Sequence, residues 1–494
     1  MGEMAARVPV DLEQPLRIVV EPDHVAQALH TGTVGEAVPG KDADLHLVWH
    51  PDDLHAYRYA VARVLIARAG LELAPWVERG AALWLSRDWY GKPYRDWLPL
   101  LAAARALPEP EQLLLPLGEE EQGDASTLLW TPAAAAWVER LPGQTVREKV
   151  RQPHSREKVA ETLAELATLA PPAKPSPARP RPPFLEGVSL AMQNSVEAGY
   201  HAPVLDRQLD VLARIGAGAV SLMPFAFQRD VNRPELFFQH RHPRGETDIG
   251  MIYATRRARA RGFHVLYKPH IWVRSSWVGE IEMKSERDWA LWWQGYRRYI
   301  LHHAMLARWA GADLFCVGVE LSKATGRERE WRDLIAAVRL FFPGPVTYAA
   351  NWYGDLERVA FWDALDLIGV DAYFPLSSSP EAKRADLAAG ARAVAARLEA
   401  ASRRYDRPVL LAEVGFAARR AAWAEPHTEG VDYSEEDQAL AYEVLFKALG
   451  RRPWLAGTFV WKAFSGVDCD GDHRADFCFL GRKAETAVRA YYSQ

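Results

Sequence analysis

From residue 184 onward, short apolar runs alternate with longer amphipathic stretches at a regular pace. The runs at 187–191, 219–224, 264–269, 314–320, 346–350, 367–371, 409–413 and 457–461 read as buried parallel strands. Strands covered by helices on both faces are near-continuously apolar, as these are. Between them, 204–215, 249–261, 286–309, 328–342, 381–405 and 434–449 carry helical periodicity, and Thr247 or Asp248 stands where it can cap the second. Eight such units over about 300 residues predict an α/β chain folded as a (β/α)8 TIM barrel. A doubly wound open sheet is the alternative, but GVSLAMQNS after the first strand holds no Gly-rich phosphate loop.

The first 170 residues follow another pattern. Strands are expected at 16–20 and 45–49 and helices at 53–73, 76–86, 94–107, 131–141 and 154–169. Leu54, Tyr57, Val61, Val64 and Leu65 form an apolar stripe on the first helix. This predicts a mainly helical α+β domain over 1–170. The stretch PPAKPSPARPRPP at 171–183 denies backbone donors and favours an extended, semi-rigid linker. The barrel domain then spans 184–494.

Composition narrows the chemistry. With 494 residues, 49% hydrophobic, 25% charged and a formal net charge of −4, the chain is globular and lacks the basic balance of a nucleic-acid binder. No run approaches 18 apolar residues, so no membrane span is predicted. No basic segment followed by an apolar one opens the chain, which sets a cytoplasmic default; a leader removed beforehand would leave an extracellular protein looking the same. Three cysteines exclude a disulfide framework: Cys316 reads as a small buried hydrophobe, while Cys469 and Cys478 are either paired or reduced. The 19 tryptophans suit stacking on sugar faces, although most are expected in the core.

Barrel enzymes place reacting groups at the carboxyl ends of strands. Here those ends hold Lys268, His270, Glu320, Asn351, Trp352, Asp371, Tyr373, Glu413 and Trp461. Two distant strands, LFCVGVE and VLLAE, each deliver one glutamate, as a glycosidase requires. There is no GxSxG elbow and no histidine set with catalytic-metal spacing, so no metal ligands are assigned.

The segments LYKPHIWV, GADLFCVGVEL, PGPVTYAANWY, FWDALDLIGVDAYFPL, YDRPVLLAEVGF and RPWLAGTFVWKAF together resemble glycoside hydrolase family 113, β-mannanases of a retaining (β/α)8 clan. The resemblance implies an endo-β-mannanase-like enzyme that needs no cofactor and acts on carbohydrate; oligomeric state stays open. It places the acid/base, Glu320, at the end of strand 4 and the nucleophile, Glu413, at the end of strand 7. Tyr373 resembles the clan tyrosine that hydrogen-bonds the nucleophile, and Trp461 the floor of the −1 subsite. Lys268 and His270 are candidate ligands of sugar hydroxyls, with a salt-bridged lysine and a structural histidine as competing readings. Asn351 and Trp352 are candidates on the same footing, and Trp272 and Trp277 could extend the cleft. Val319 departs from the clan, which commonly has Asn there to contact the 2-hydroxyl. That departure leaves an inactive carbohydrate-binding barrel as the alternative.

Three lesser features complete the reading. LELAPWVERGAALWLS at 71–86 resembles a segment of gluzincin-like metallopeptidases, but Arg79 stands at the ligand position and only His55 lies upstream. A peptidase-like scaffold without its metal is the implication. Asp468, Asp470, Asp472 and Asp476 mimic half a calcium loop, yet Phe479 occupies its twelfth position, so a solvated turn is expected. His240 and His242 read as rim residues, and His302 and His303 as helix residues that are exposed or packed.

Overall fold

The computed structural model describes all residues except 1, 9–14, 115–125, 152–154, 171–182, 239–240, 275 and 467–474. Nearly all of the proline-rich segment, His240, Cys469 and three of the four loop aspartates lie outside the described residues.

Eight parallel strands close into a barrel: β1 (Leu185–Ala191), β2 (Ala219–Leu222), β3 (His264–Tyr267), β4 (Leu314–Val319), β5 (Val346–Asn351), β6 (Leu367–Asp371), β7 (Val409–Val414) and β8 (Leu455–Phe464). Neighbours follow chain order, and β8 pairs with β1 to complete the ring. Alternation divides each strand between two cores. Leu314 and Cys316 of β4 and Leu410 and Ala412 of β7 fill the barrel interior with Leu185, Leu266 and Phe459. Phe315, Val317, Val409 and Leu411 face the surrounding helices. Burial pushes the Cys316 thiol up to about 12, which leaves it an inert hydrophobe. Thr247 caps the helix Asp248–Ala260, its Oγ1 accepting from the Gly250 amide at 3.1 Å, which decides between the two caps expected.

The N-terminal part is α+β, with a three-stranded sheet in the order Ile18–Glu21, Leu45–Val48, Ala37–Val38 followed mostly by helices. Two expectations need correction there. The single helix at 94–107 is a 3-10 turn, Tyr94–Trp97, followed by the short helix Leu98–Ala103, because Pro99 removes a backbone donor at the junction. The helix expected to start at 131 begins at Ser126 and carries Pro132 inside it. Proline cannot donate to the carbonyl four residues back, and Trp89 Nε1 donates to that Leu128 oxygen at 3.0 Å instead. Three short strands, Phe225–Gln228, Leu236–Phe238 and His270–Val273, form a small sheet that was not anticipated. Runs of three or four residues give too little alternation to detect.

The two parts meet along a tight seam. Trp97 stacks on Phe341 with centroids 6.0 Å apart, and Arg256 Nη1 lies 2.9 Å from Asp53 Oδ1. A Cβ on Gly91 would come within 2.2 Å of the Trp309 ring, so only glycine permits this approach. His55, the lone upstream histidine of the peptidase-like reading, packs edge-on against Trp309 at 4.9 Å. Glu78 is held by Arg63 at 2.8 Å, and Arg79 lies over Trp76. No helix among the described residues is long and apolar enough to cross a membrane.

Candidate active site

A cleft of about 470 Å³ opens where β4 to β8 end, lined by Glu320, Asn351, Tyr373, Glu413 and Trp461, with Trp277 and Trp352 among its aromatic walls. Glu320 and Glu413, 93 residues apart in the numbering, thus face one space. Both stand beside breaks in strand register. The β4–β5 pairing shifts between Cys316 and Val319, and the β7–β8 pairing shifts between Leu411 and Val414. Such irregularities re-aim side chains that strict alternation would send elsewhere. Val319 consequently joins the interior cluster, and Glu320 takes a left-handed backbone with φ 50°.

The environments of the two carboxyls differ. Glu413, at the end of β7, accepts from Lys268 Nζ at 2.6 Å and from the Tyr373 hydroxyl at 2.6 Å. Burial and the Glu413 charge push the Tyr373 phenol well above its ordinary range, so it stays a donor. Glu320 receives two neutral donors, Asn351 Nδ2 at 2.7 Å and Trp277 Nε1 at 2.9 Å. Burial, reinforced by the negative charge of Glu413, raises its pKa to about 7 against the lowering effect of those hydrogen bonds. Asn351 is oriented from behind: its Oδ1 accepts the Tyr353 amide at 2.8 Å, which turns Nδ2 toward the glutamate.

Lys268 is a correction to the sugar-ligand reading. It is wholly buried and absent from the cleft wall, bridging Glu413 and Asp371, the latter at 2.9 Å. Burial opposes its charge, but the carboxylates of Asp371 and Glu413 more than offset that and hold the ammonium above its usual range. One cation between two carboxylates leaves a surplus negative charge. Burial and the Glu413 charge accordingly push Asp371 well above an ordinary aspartate. His270 sits behind Glu413, its Nε2 3.9 Å from Glu413 Oε1 and without a hydrogen-bond partner. Burial, then the Lys268 charge, keeps its imidazole neutral.

Trp272 also departs from expectation. It shares a strand face with His270, packs on Phe227 and is half exposed outside the cleft lining. Trp277, beyond the end of that strand, stands beside Glu320 instead. Sequence reasoning missed Tyr353, His427 and Phe477, which also line the cleft. The segments of His427 and Phe477 carry no strand-end signal, whereas Tyr353 directly follows Asn351 and Trp352 at the end of β5. His302 and His303 are packed, bonded to Asp248 at 2.7 Å and to the Tyr267 hydroxyl at 3.0 Å. Asp476 pairs with Lys462 at 3.3 Å, and Cys478 is disulfide-bonded.

A phosphotransferase enzyme family model matches residues 91–241, a span that crosses from the N-terminal helices into β1 and β2 of the closed barrel. Nothing supports the peptidase resemblance. No curated protein matches the chain. Among solved structures, a family 113 β-mannanase from Alicyclobacillus acidocaldarius, in complex with ManMIm, is 26% identical with a TM-score of 0.57, covering 63% of this chain and 98% of that one. Two further structures of a family 113 β-1,4-mannanase, one a complex, match at 26% identity with TM-scores of 0.57 and 0.56, covering 63% of this chain and all of theirs. A model described as Glycoside Hydrolase Family 113 matches residues 192–482. That span exceeds half of the chain and coincides with the barrel carrying the paired glutamates; this glycosidase belongs to glycoside hydrolase family 113.

Proposed function

We propose that the protein is a retaining β-glycosidase of mannan-type, β-1,4-linked chains, working by double displacement. The observation that carries this reading is the contrast between two glutamates in one cleft. Glu413, held by a cation and a phenol, is suited to attack the anomeric carbon as a carboxylate. Glu320, with its pKa raised to about 7, is suited to protonate the departing glycosidic oxygen and then to take a proton from the incoming water. Lys268 and Asp371 act as positioning residues for the nucleophile. Trp461 and Trp352 offer faces for sugar rings. Likeness to β-1,4-mannanases supports the substrate class. In this reading residues 1–170 form an accessory domain, joined through 171–183 to the catalytic domain 184–494.

A binding protein on the same barrel is the second reading, favoured by Val319, whose side chain cannot meet a sugar 2-hydroxyl. Incubation with mannooligosaccharides separates the two: the hydrolase releases reducing ends whose first-formed anomer is β. Binding without release would favour the second reading. Glu413→Ala should lose turnover, and azide should restore it by forming the α-glycosyl azide. Near-normal turnover by that variant would end the proposed mechanism.

A further inference from the structure

Away from the cleft, in the N-terminal sheet, three potential ligands converge. Glu21 ends the strand Ile18–Glu21, and His46 lies on the adjoining strand opposite Val19. The period of two places both side chains on one face of the sheet. His30 enters from the helix His24–Thr31. Glu21 Oε1 lies 2.8 Å from His30 Nδ1 and 2.6 Å from His46 Nδ1, and ligand atoms of all three are within 4.8 Å of one another. Glu21 and His46 are buried, while the His30 side chain is 60% exposed.

The second nitrogen of His46 is also committed, with Nε2 2.9 Å from Asp42 Oδ1. The ring is seated against Gly40, where a Cβ would come within 2.3 Å of it. A histidine that binds a metal through one nitrogen and donates its other N–H to a carboxylate is the usual supported ligand.

We propose that Glu21, His30 and His46 form a site for a divalent transition metal of the zinc class, with Asp42 orienting His46. Two imidazole nitrogens and one carboxylate suit such an ion, whereas calcium and magnesium require oxygen ligands. Binding replaces the Nδ1 protons of both histidines, which leave to solvent. The Nε2–H of His46 stays on Asp42. Bonds of about 2.0–2.1 Å on a tetrahedral ion set ligand atoms roughly 3.3 Å apart, so the 2.6 and 2.8 Å contacts widen by about 0.7 and 0.5 Å. The exposed His30 can supply the movement in its own contact, and rotation of the Glu21 carboxylate must supply that toward His46. Three protein ligands leave a fourth position for water on the His30 side. The ion would fasten both strands and the helix to one another.

The test uses the full-length protein, stripped with chelator and titrated with zinc against a chromophoric competitor, then with cobalt to read the absorption of a four-coordinate ion. One equivalent should bind and survive desalting. His30→Ala, at an exposed position that leaves the fold undisturbed, should remove the cobalt bands. Asp42→Asn should weaken zinc about 10–100-fold. Failure of the wild type to retain stoichiometric zinc would overturn the proposal. So would zinc retention unchanged in both variants, because the histidines would then serve only as hydrogen-bond partners.

Discussion

Lys268 and Glu413 form a buried ion pair, Nζ to Oε1 2.6 Å, with the lysine side chain wholly removed from solvent. The same ammonium serves Asp371, so one cation restrains two carboxylates across strands that lie side by side. In Lys268→Met both carboxylates lose their counter-charge, and the pair takes up a proton. Stability should fall by about 3–5 kcal/mol, as for other buried pairs broken on one side. The acidic limb of the rate profile should move to higher pH, with kcat reduced more than KM is raised. Denaturant titration and a pH–rate series check both effects.

Tyr373→Phe removes the 2.6 Å hydrogen bond to Glu413 Oε2 while keeping the ring. A hydrogen bond to a charged group contributes about 1.5–3 kcal/mol, so kcat should drop roughly 10–150-fold. Circular dichroism should be unchanged, because the ring remains in its aromatic cluster.

Under the proposed mechanism the alkaline limb of activity should belong to Glu320. As general acid it must carry its proton, and with a pKa of about 7 that proton is lost as pH rises through neutrality. Trp277 donates to the ionised form and so lowers this pKa. Trp277→Phe removes that stabilisation, and the alkaline limb of kcat/KM should move up by about 0.5–1 pH unit. A limb that stays in place or moves down would contradict this assignment.

Arg256→Ala leaves the Asp53 carboxylate buried beside the seam without its guanidinium. The expected cost is about 3–5 kcal/mol of stability. A calorimetric scan should record the lower Tm, while kcat/KM at 25 °C stays at the wild-type level.

The barrel was legible because each of its strands is covered on both faces. LFCVGV and VLLA read as unbroken apolar runs, and their ends pointed to Glu320 and Glu413 as residues of one barrel mouth. What composition could not convey was register. Bulges beside Glu320 and Glu413 depend on pairing partners far away in the chain, and Lys268 turns inward because Asp371 waits for it across the barrel. Asn351 and Trp277 were candidates for sugar contact, but nothing local in NWY or SSWVGE tells that both donate to the acid. The cluster of Glu21, His30 and His46 was invisible for the same reason. Its spacing matches no familiar ligand motif, and only the sheet brings it together.

The join at Gly91 and Trp309 bears on how this enzyme can be divided. A gene fragment that begins near residue 184 would strip away the cover over Trp309 and Phe341, baring aromatic rings that water does not wet. Such an excised barrel should clump on expression unless those positions are first recoded as polar. Although 63% of this chain spans 98–100% of the solved family 113 chains, the barrel here should depend on its companion.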